Sequence, residues 1–390
     1  MSRALRVAAC LCVCTLLASC GSQMGQSEAP TSSSAPKPSV RYEAEDLGIA
    51  YPHSYGGDAF ARNIWDMQSY GGKVYFGGGD YDRNLGPCDL LCYDGTSGEV
   101  ARVAELQDEQ IGRFCIIDGQ LVLPTTDQIG SGSGGYFRLE SGGWQTYRCL
   151  DGALHCFDMA EYADAYFAAV GLKTDDNDHS AIRRSTDGVH FDDVYLYRDG
   201  RRVTVEKGQY GRCYELFVYK MELYAYYRAS AYDYYAGVYR YDIEKDRFDF
   251  IGSSFLPINC RNSQENYLTV QAKFEFGGEM VFVNNQVLCT DDMQCYRTVA
   301  LPAGAVARDG LVLGGKLYIL AAAQQADGTY KNMVLVGDSA ERLDTIVVFD
   351  APSYCVSFEY CEEYFLFTLG TSRTQLSGEC GRLMRIAYKL

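Results

Sequence analysis

One short phrase recurs along this chain, a small or polar turn followed by a run of β-favouring residues. It limits the fold more than any other feature. It reads Gly72-Lys73-Val74-Tyr75-Phe76, Gly119-Gln120-Leu121-Val122-Leu123, Asp164-Ala165-Tyr166-Phe167, Met221-Glu222-Leu223-Tyr224, Gly278-Glu279-Met280-Val281-Phe282, Gly315-Lys316-Leu317-Tyr318-Ile319 and Glu362-Glu363-Tyr364-Phe365. The copies recur at roughly 50-residue intervals, the scale of stacked or radially repeated units. Between them lies a second phrase, a β run, an Asp or Gly turn and another β run, plainest from Tyr239-Arg240-Tyr241-Asp242 to Arg247-Phe248-Asp249-Phe250. Others are Leu91 to Gly95, Phe137 to Trp144, Ser185 to Phe191, Leu288 to Tyr296 and Val334 to Asp338. Sustained helical periodicity is hard to find after Val40, and Tyr-, Val- and Phe-rich runs between Gly and Asp turns are strand and hairpin signals.

Units of four short antiparallel strands, repeated seven times, describe an all-β fold: a seven-bladed β-propeller over residues 41–390. Each blade alone exposes an apolar face, and radial packing lets neighbours cover it. Six or eight blades, or a pair of β-sandwiches, are the competing architectures. The last unit, from Ser353 to Leu390, is one strand short, and the stretch from Arg41 to Leu47 is expected to supply it and close the ring.

The front of the chain has a different character. Arg3 and Arg6 precede an apolar stretch from Val7 to Ala18, the layout of a secretory signal and too short to remain as a membrane span. It ends in Leu17-Ala18-Ser19-Cys20, which resembles the lipobox of bacterial lipoproteins. The resemblance implies cleavage after residue 19, diacylglycerol on the Cys20 sulfur, a further acyl group on the new amino end, and an extracytoplasmic protein anchored to the cell membrane or outer membrane. Two or more acyl chains give lasting attachment. Residues 20–40 are mostly Ser, Pro, Gly, Gln and Ala, a composition that cannot bury enough surface to fold and reads as a tether.

The net charge is −16, and loss of Arg3 and Arg6 with the signal makes it more negative, so nucleic acid is excluded as a partner by repulsion. Of 16 cysteines, Cys10, Cys12 and Cys14 leave with the signal and Cys20 takes lipid. The even remainder allows a disulfide framework, with buried free thiols as the alternative. Cys115, Cys156, Cys213 and Cys355 precede their units' repeated phrase and are expected on comparable inner strands.

Ser185-Thr186-Asp187-Gly188-Val189-His190-Phe191 looks like an Asp-box, the hairpin turn of sialidase-like propellers, with Phe191 where Trp is common. The turn from Tyr241-Asp242 to Phe248 is similar to the outer hairpin of kelch propellers. In such a turn the Asp carboxylate accepts backbone N–H groups and Gly takes a positive φ, so Ser185, Asp187, Gly188 and Phe191 are structural residues. The sialidase resemblance implies an Arg-Ile-Pro signature, absent here, since Arg62 stands in Ala61-Arg62-Asn63-Ile64. No catalytic residue is singled out.

Tyr232, Tyr234 and Tyr235 are candidate ligand-binding residues, since tyrosine offers a flat apolar face with a polar tip; ordinary strand composition is the competing reading. Asp175-Asp176-Asn177-Asp178 is an oxygen-rich run whose natural ion would be calcium, against a solvated hairpin tip. No other cofactor is expected. These residues describe a non-catalytic lipoprotein that binds an extracellular glycan or protein; a sialidase-like glycan-cleaving hydrolase and a scaffold subunit of an envelope complex are the alternatives.

Overall fold

The computed structural model describes residues 41–390 apart from 52–54, 81–82, 84, 130–132, 174–178, 205–209, 230–232 and 253–269. The signal, Cys20, the tether, the acidic run at 175–178 and Tyr232 therefore lie outside the described residues. Among the described residues there is no α-helix. The helical elements are 3₁₀ turns at Tyr55–Gly57, Phe60–Arg62 and Asp233–Tyr235.

Five four-stranded antiparallel sheets follow the repeat. They comprise Asp66–Tyr70, Lys73–Gly77, Cys88–Asp94 and Val100–Leu106; Cys115–Ile117, Gln120–Pro124, Gly134–Glu140 and Gly143–Leu150; Ala272–Phe276, Glu279–Asn284, Gln286–Thr290 and Arg297–Thr298; Val306–Leu313, Lys316–Gln324, Tyr330–Ser339 and Arg342–Ala351; and Cys355–Cys361, Tyr364–Leu369, Arg382–Ala387 and Glu45–Ile49. In the last of these the amino-terminal strand Glu45–Ile49 pairs antiparallel with Arg382–Ala387, so the chain ends share one sheet. Arg385 grips Glu45 through two hydrogen bonds of 2.7 and 2.9 Å, and Arg382 pairs with Asp46.

A twelve-stranded sheet completes the fold. It contains two four-stranded meanders, Ala153–Tyr162, Ala165–Lys173, Ile182–Ser185 and Asp192–Asp193, then Tyr210–Tyr219, Glu222–Ala229, Gly237–Asp242 and Arg247–Gly252. The meanders fuse where Gly171–Lys173 pairs with Tyr210–Arg212. The arrangement is a β-propeller, with the first strand of each unit facing a common channel.

Each recurrent phrase lies on its unit's second strand, entered by a tight turn. Gly71 and Gly72, Gly277 and Gly278, and Gly314 and Gly315 take positive φ, the left-handed pair that matches strand twist in a two-residue hairpin. Ala163-Asp164 and Lys220-Met221 adopt the same φ signs without glycine. The second strands carry the core. Tyr318, Leu320 and Val334 of one sheet pack with Phe358, Phe365 and Phe367 of the next, and each fully buried aromatic is worth about 1.5–3 kcal/mol.

Among the described residues no disulfide is formed. Cys88, Cys92, Cys115, Cys149, Cys156, Cys213, Cys289, Cys295, Cys355, Cys361 and Cys380 are free thiols, most of them buried. Cys88 and Cys92 share one strand, which puts their Cα atoms roughly 13 Å apart, whereas a disulfide needs about 7 Å or less. Cys355 and Cys361 are parted by the same geometry. Cys156, Cys213 and Cys355 occupy first strands and pack in the core as small apolar groups.

Candidate functional site in the central channel

The first strands enclose a cavity of about 620 Å³. Its lining is built by a repeated irregularity. Register shifts fall between Cys156 and Asp158, Cys213 and Glu215, Ala307 and Asp309, and Cys355 and Ser357. The extra residue of a bulge re-aims the side chain that follows. Asp158, Glu215 and Asp309 thereby reach equivalent positions beside the channel.

Most of the channel carboxylates tie one unit to the next. Asp66 accepts the Met67 N–H at 2.9 Å and, from the following unit, the Phe114 N–H at 2.7 Å. Asp158 does the same with Met159 at 3.0 Å and Leu216 at 2.7 Å. Asp309 holds Gly310 at 2.7 Å and Phe358 at 3.0 Å. Glu359 holds Tyr360 at 2.8 Å and closes the circuit on Ser69 at 3.0 Å. Buried backbone donors need acceptors, and a charge-assisted bond is the strong way to supply one.

Charge divides the lining into two arcs. In the first, Arg113 grips Glu215 at 2.6 and 3.1 Å, approaches Asp158 at 3.2 Å and donates to the Val270 carbonyl at 2.5 Å. Lys273 pairs with Glu215 at 2.7 Å and also with Asp158. Burial opposes the charge of Arg113, but Glu215 and Asp158 outweigh it and push the guanidinium further up. Burial would likewise raise Glu215, yet Arg113 and Lys273 hold it below the usual carboxylate range. Two cations and two anions are thus balanced within the arc.

The second arc contains Asp66, Asp309 and Glu359, which form no ion pair among the described residues. Burial pushes Asp66 up to about 6, against the opposing pull of the Phe114 N–H and of the Arg113 and Lys273 charges. Glu359 rises to about 7, through burial first and the neighbouring Asp66 in addition. Asp309 is raised well above its ordinary value by burial and by the charge of Asp66. Raised carboxyl groups in a cleft are the chemistry of proton exchange and of cation recognition. No group of His, Cys, Asp and Glu that could hold a metal ion occurs among the described residues.

The residues singled out from sequence lie elsewhere. Ser185, Asp187, Gly188 and Phe191 form the hairpin between the third and fourth strands of their unit. The Ser185 hydroxyl accepts the Asp187 and Gly188 N–H groups at 3.2 and 2.9 Å. Asp187 accepts from Val189 and His190, each at 2.8 Å, and Gly188 has φ +75. These backbone bonds and the His190 ring hold the Asp187 carboxyl well below its ordinary value. The same turn recurs at 290–296, a stretch read from sequence as an Asp turn but not as a second copy of the Asp-box. Thr290 replaces Ser185, Asp292 replaces Asp187, and Met293 takes the positive φ of 60. Asp94 and Asp242 brace the corresponding hairpins of two other units.

Tyr234 and Tyr235 sit on a 3₁₀ turn in the hairpin connection between the paired strands Glu222–Ala229 and Gly237–Asp242. Tyr234 is 53% exposed, but its hydroxyl binds Asp199 at 2.5 Å and the Arg198 guanidinium lies 4.0 Å from its ring centroid. One ring face is already taken. Tyr235 packs against the core, and its carbonyl accepts the Tyr239 hydroxyl at 2.8 Å. The structure does not bring these tyrosines to the channel lining.

Sequence reasoning missed the channel residues, although a signal was present. Asp66, Arg113, Asp158, Glu215 and Asp309 each stand six residues ahead of the first residue of their repeat phrase.

No family model matches this chain, and no curated protein is similar to it. Among solved structures, selenomethionine-substituted virginiamycin B lyase from Staphylococcus aureus is similar at a TM-score of 0.51 and 10% identity, covering 89% of this chain and 100% of that one. A catalytically inactive form of that lyase with quinupristin gives 0.50 at the same identity and coverage. BamB from Moraxella catarrhalis covers 83% of this chain and 84% of its own, at 12% identity and a TM-score of 0.37. What the two lyase structures share with this chain is the β-propeller fold.

Proposed function

We propose that this chain is an exported lipoprotein, cleaved before Cys20 and held on a membrane by acyl chains, whose propeller binds an extracellular glycan or protein without transforming it. The lipobox Leu17-Ala18-Ser19-Cys20 supports the anchor and the Ser/Pro-rich stretch after it supports the tether. The propeller counts as seven-bladed when the two meanders of the twelve-stranded sheet are taken as separate blades.

The single observation that carries the binding reading is the cavity of about 620 Å³ to which the units' first strands contribute. Its acids are engaged in backbone bonds and ion pairs that hold the units together. An occupant would contact all the units at one place, which suits recognition by a rigid scaffold.

Residues 41–390 applied to a glycan array, and to a peptide library of extracellular proteins, test the reading. Saturable binding lost when the cavity lining is altered is the expected result. Release of product from a sialylated or fucosylated glycan mixture would overturn it in favour of the hydrolase, a reading that rests on the Ser185–Phe191 turn. Co-purification of fixed partners would point to the scaffold. Labelling with a radioactive fatty acid, abolished by Cys20→Ala, tests the anchor.

A further inference from the structure

The channel has unlike ends. Its first strands run towards the mouth lined by tight turns, and in three units the residue two places before the turn is apolar and open. Ile116 is 48% exposed, Val218 39% and Val312 39%. Each lies within two residues of its turn, at Asp118-Gly119, Lys220-Met221 and Gly314-Gly315, and all three line the cavity. Deeper in stand Asp66, Asp309 and Glu359, held by backbone N–H groups and without an ion pair among the described residues. Glu161 holds the same position in its unit, its carboxylate accepting the Asp118 N–H at 2.6 Å, so from the turn face inward the surface passes from a largely apolar rim with one acid to the three acids below.

We propose that this mouth is a docking port for one basic side chain, lysine or arginine, of a partner protein. Its methylene stem would lie on Ile116, Val218 and Val312, with its charged head towards Asp66, Asp309 and Glu359. The inference rests on the binding reading above and names the partner's chemistry.

Charge and shape both select this occupant. Long basic side chains place an apolar stem beneath a charged head, the order in which this channel presents its surfaces. An anionic or sialylated group would meet three carboxyl groups and the field of a chain with net charge −16. A bare cation would make no use of the apolar collar. In the arc of Arg113, Asp158, Glu215 and Lys273 the two cations are paired with the two anions, and of the three acids Asp66 also feels their charge, which leaves Asp309 and Glu359 as the main seats for the newcomer. The ionisable groups that face the cavity are Asp66, Arg113, Cys115, Asp158, Glu161, Lys273, Asp309, Glu359 and Tyr360, with Glu215 behind Lys273. The head engages Asp66 and Glu359 in their ionised forms, so affinity rises as pH passes through about 6 to 7.

The test is calorimetric titration of the full chain carrying Cys20→Ser, which removes the lipid. The probes are acetyl-Gly-Ser-Lys-Ser-Gly-amide, its Arg and Gln counterparts, and n-butylamine. The Lys and Arg peptides are expected to saturate, with the Gln peptide at least roughly tenfold weaker. Val312→Ser, at an exposed position that should leave folding intact, is expected to weaken the Lys peptide about fivefold, and Glu359→Gln by more. Equal binding of the Lys and Gln peptides overturns the proposal, as does unchanged affinity in Val312→Ser. If Glu359→Gln fails to fold, the peptide comparison and Val312→Ser still decide. Butylamine binding as tightly as the Lys peptide overturns the protein partner in favour of a free amine. A glycan ligand untouched by Val312→Ser would sink the port while leaving the binding function in place.

Discussion

Across the channel, the arc of Arg113, Asp158, Glu215 and Lys273 balances its charges internally, whereas the arc of Asp66, Asp309 and Glu359 has three carboxyl groups and no ion pair among the described residues. Both stitch neighbouring units together through the same carboxylate-to-N–H bonds. The difference is one of compensation. A buried ion network tolerates no loss of a member, because each removal strands a charge in low dielectric. A buried carboxyl group without a counter-charge can take a proton instead. One arc is a fixed brace, and the other answers to pH and to added positive charge.

The largest expected effect tests the brace. Arg113→Ala leaves Glu215 and Asp158 facing Lys273 alone and should lower the unfolding free energy by about 3–5 kcal/mol in urea denaturation. Asp309→Asn, in the other arc, should cost clearly less. Equal losses would erase the distinction between the arcs.

Next comes the pH profile. The folded-state values of Asp66 and Glu359, about 6 and about 7, lie above those of the unfolded chain, so the folded state holds more protons. Their contribution is complete below about pH 4 and is lost as pH rises to about 7. Denaturation at pH 5 and 7.5 should show stability falling by roughly 2–3 kcal/mol, and Glu359→Gln should flatten the slope. A stability that rises over this window would contradict the assignment.

A smaller effect sharpens the contrast. Gln68 lines the cavity beside the acid arc, and Gln68→Lys would supply the missing cation. It should raise stability at pH 7.5 by about 1 kcal/mol and shift the Glu359 titration, followed by NMR, downwards. The smallest effect belongs to Asp187→Ala on the outer hairpin. It should lower the melting temperature less than any brace variant and leave the slope set by Asp66 and Glu359 in place, because the carboxyl of Asp187 already sits well below its ordinary range.

Much of the fold was legible in the residues. The recurrent phrase marks the second strand of each unit because that strand is buried on both faces and so must be apolar, as in Val74, Tyr75 and Phe76. The shared sheet at the chain ends was also legible, since the final unit lacked a strand. Its position was displaced, from the expected 41–47 to Glu45–Ile49. The turn at 290–296 was legible as a turn but not as a second Asp-box, because Met293 stands where glycine announces the motif. There the Thr290 and Asp292 side chains hold the backbone left-handed without it. Near the candidate tyrosines in the chain, Tyr227 and Tyr239 are core, so a tyrosine-rich stretch alone does not mark a ligand face.

The sequence alone determined the β-rich repeat, the placement of its turns and the apolar second strands, since these follow from local propensity and from continuous apolar runs between turn residues. It also contained the charged residue six places ahead of most phrases. Only the tertiary structure decided that those charges meet in one channel, and that they part into a neutralised arc and an acidic one. The reason is physical: whether Asp158 finds Lys273 or Asp66 finds Glu359 depends on which strands become neighbours across the axis, and a carboxyl group's charge is settled by that company and by burial.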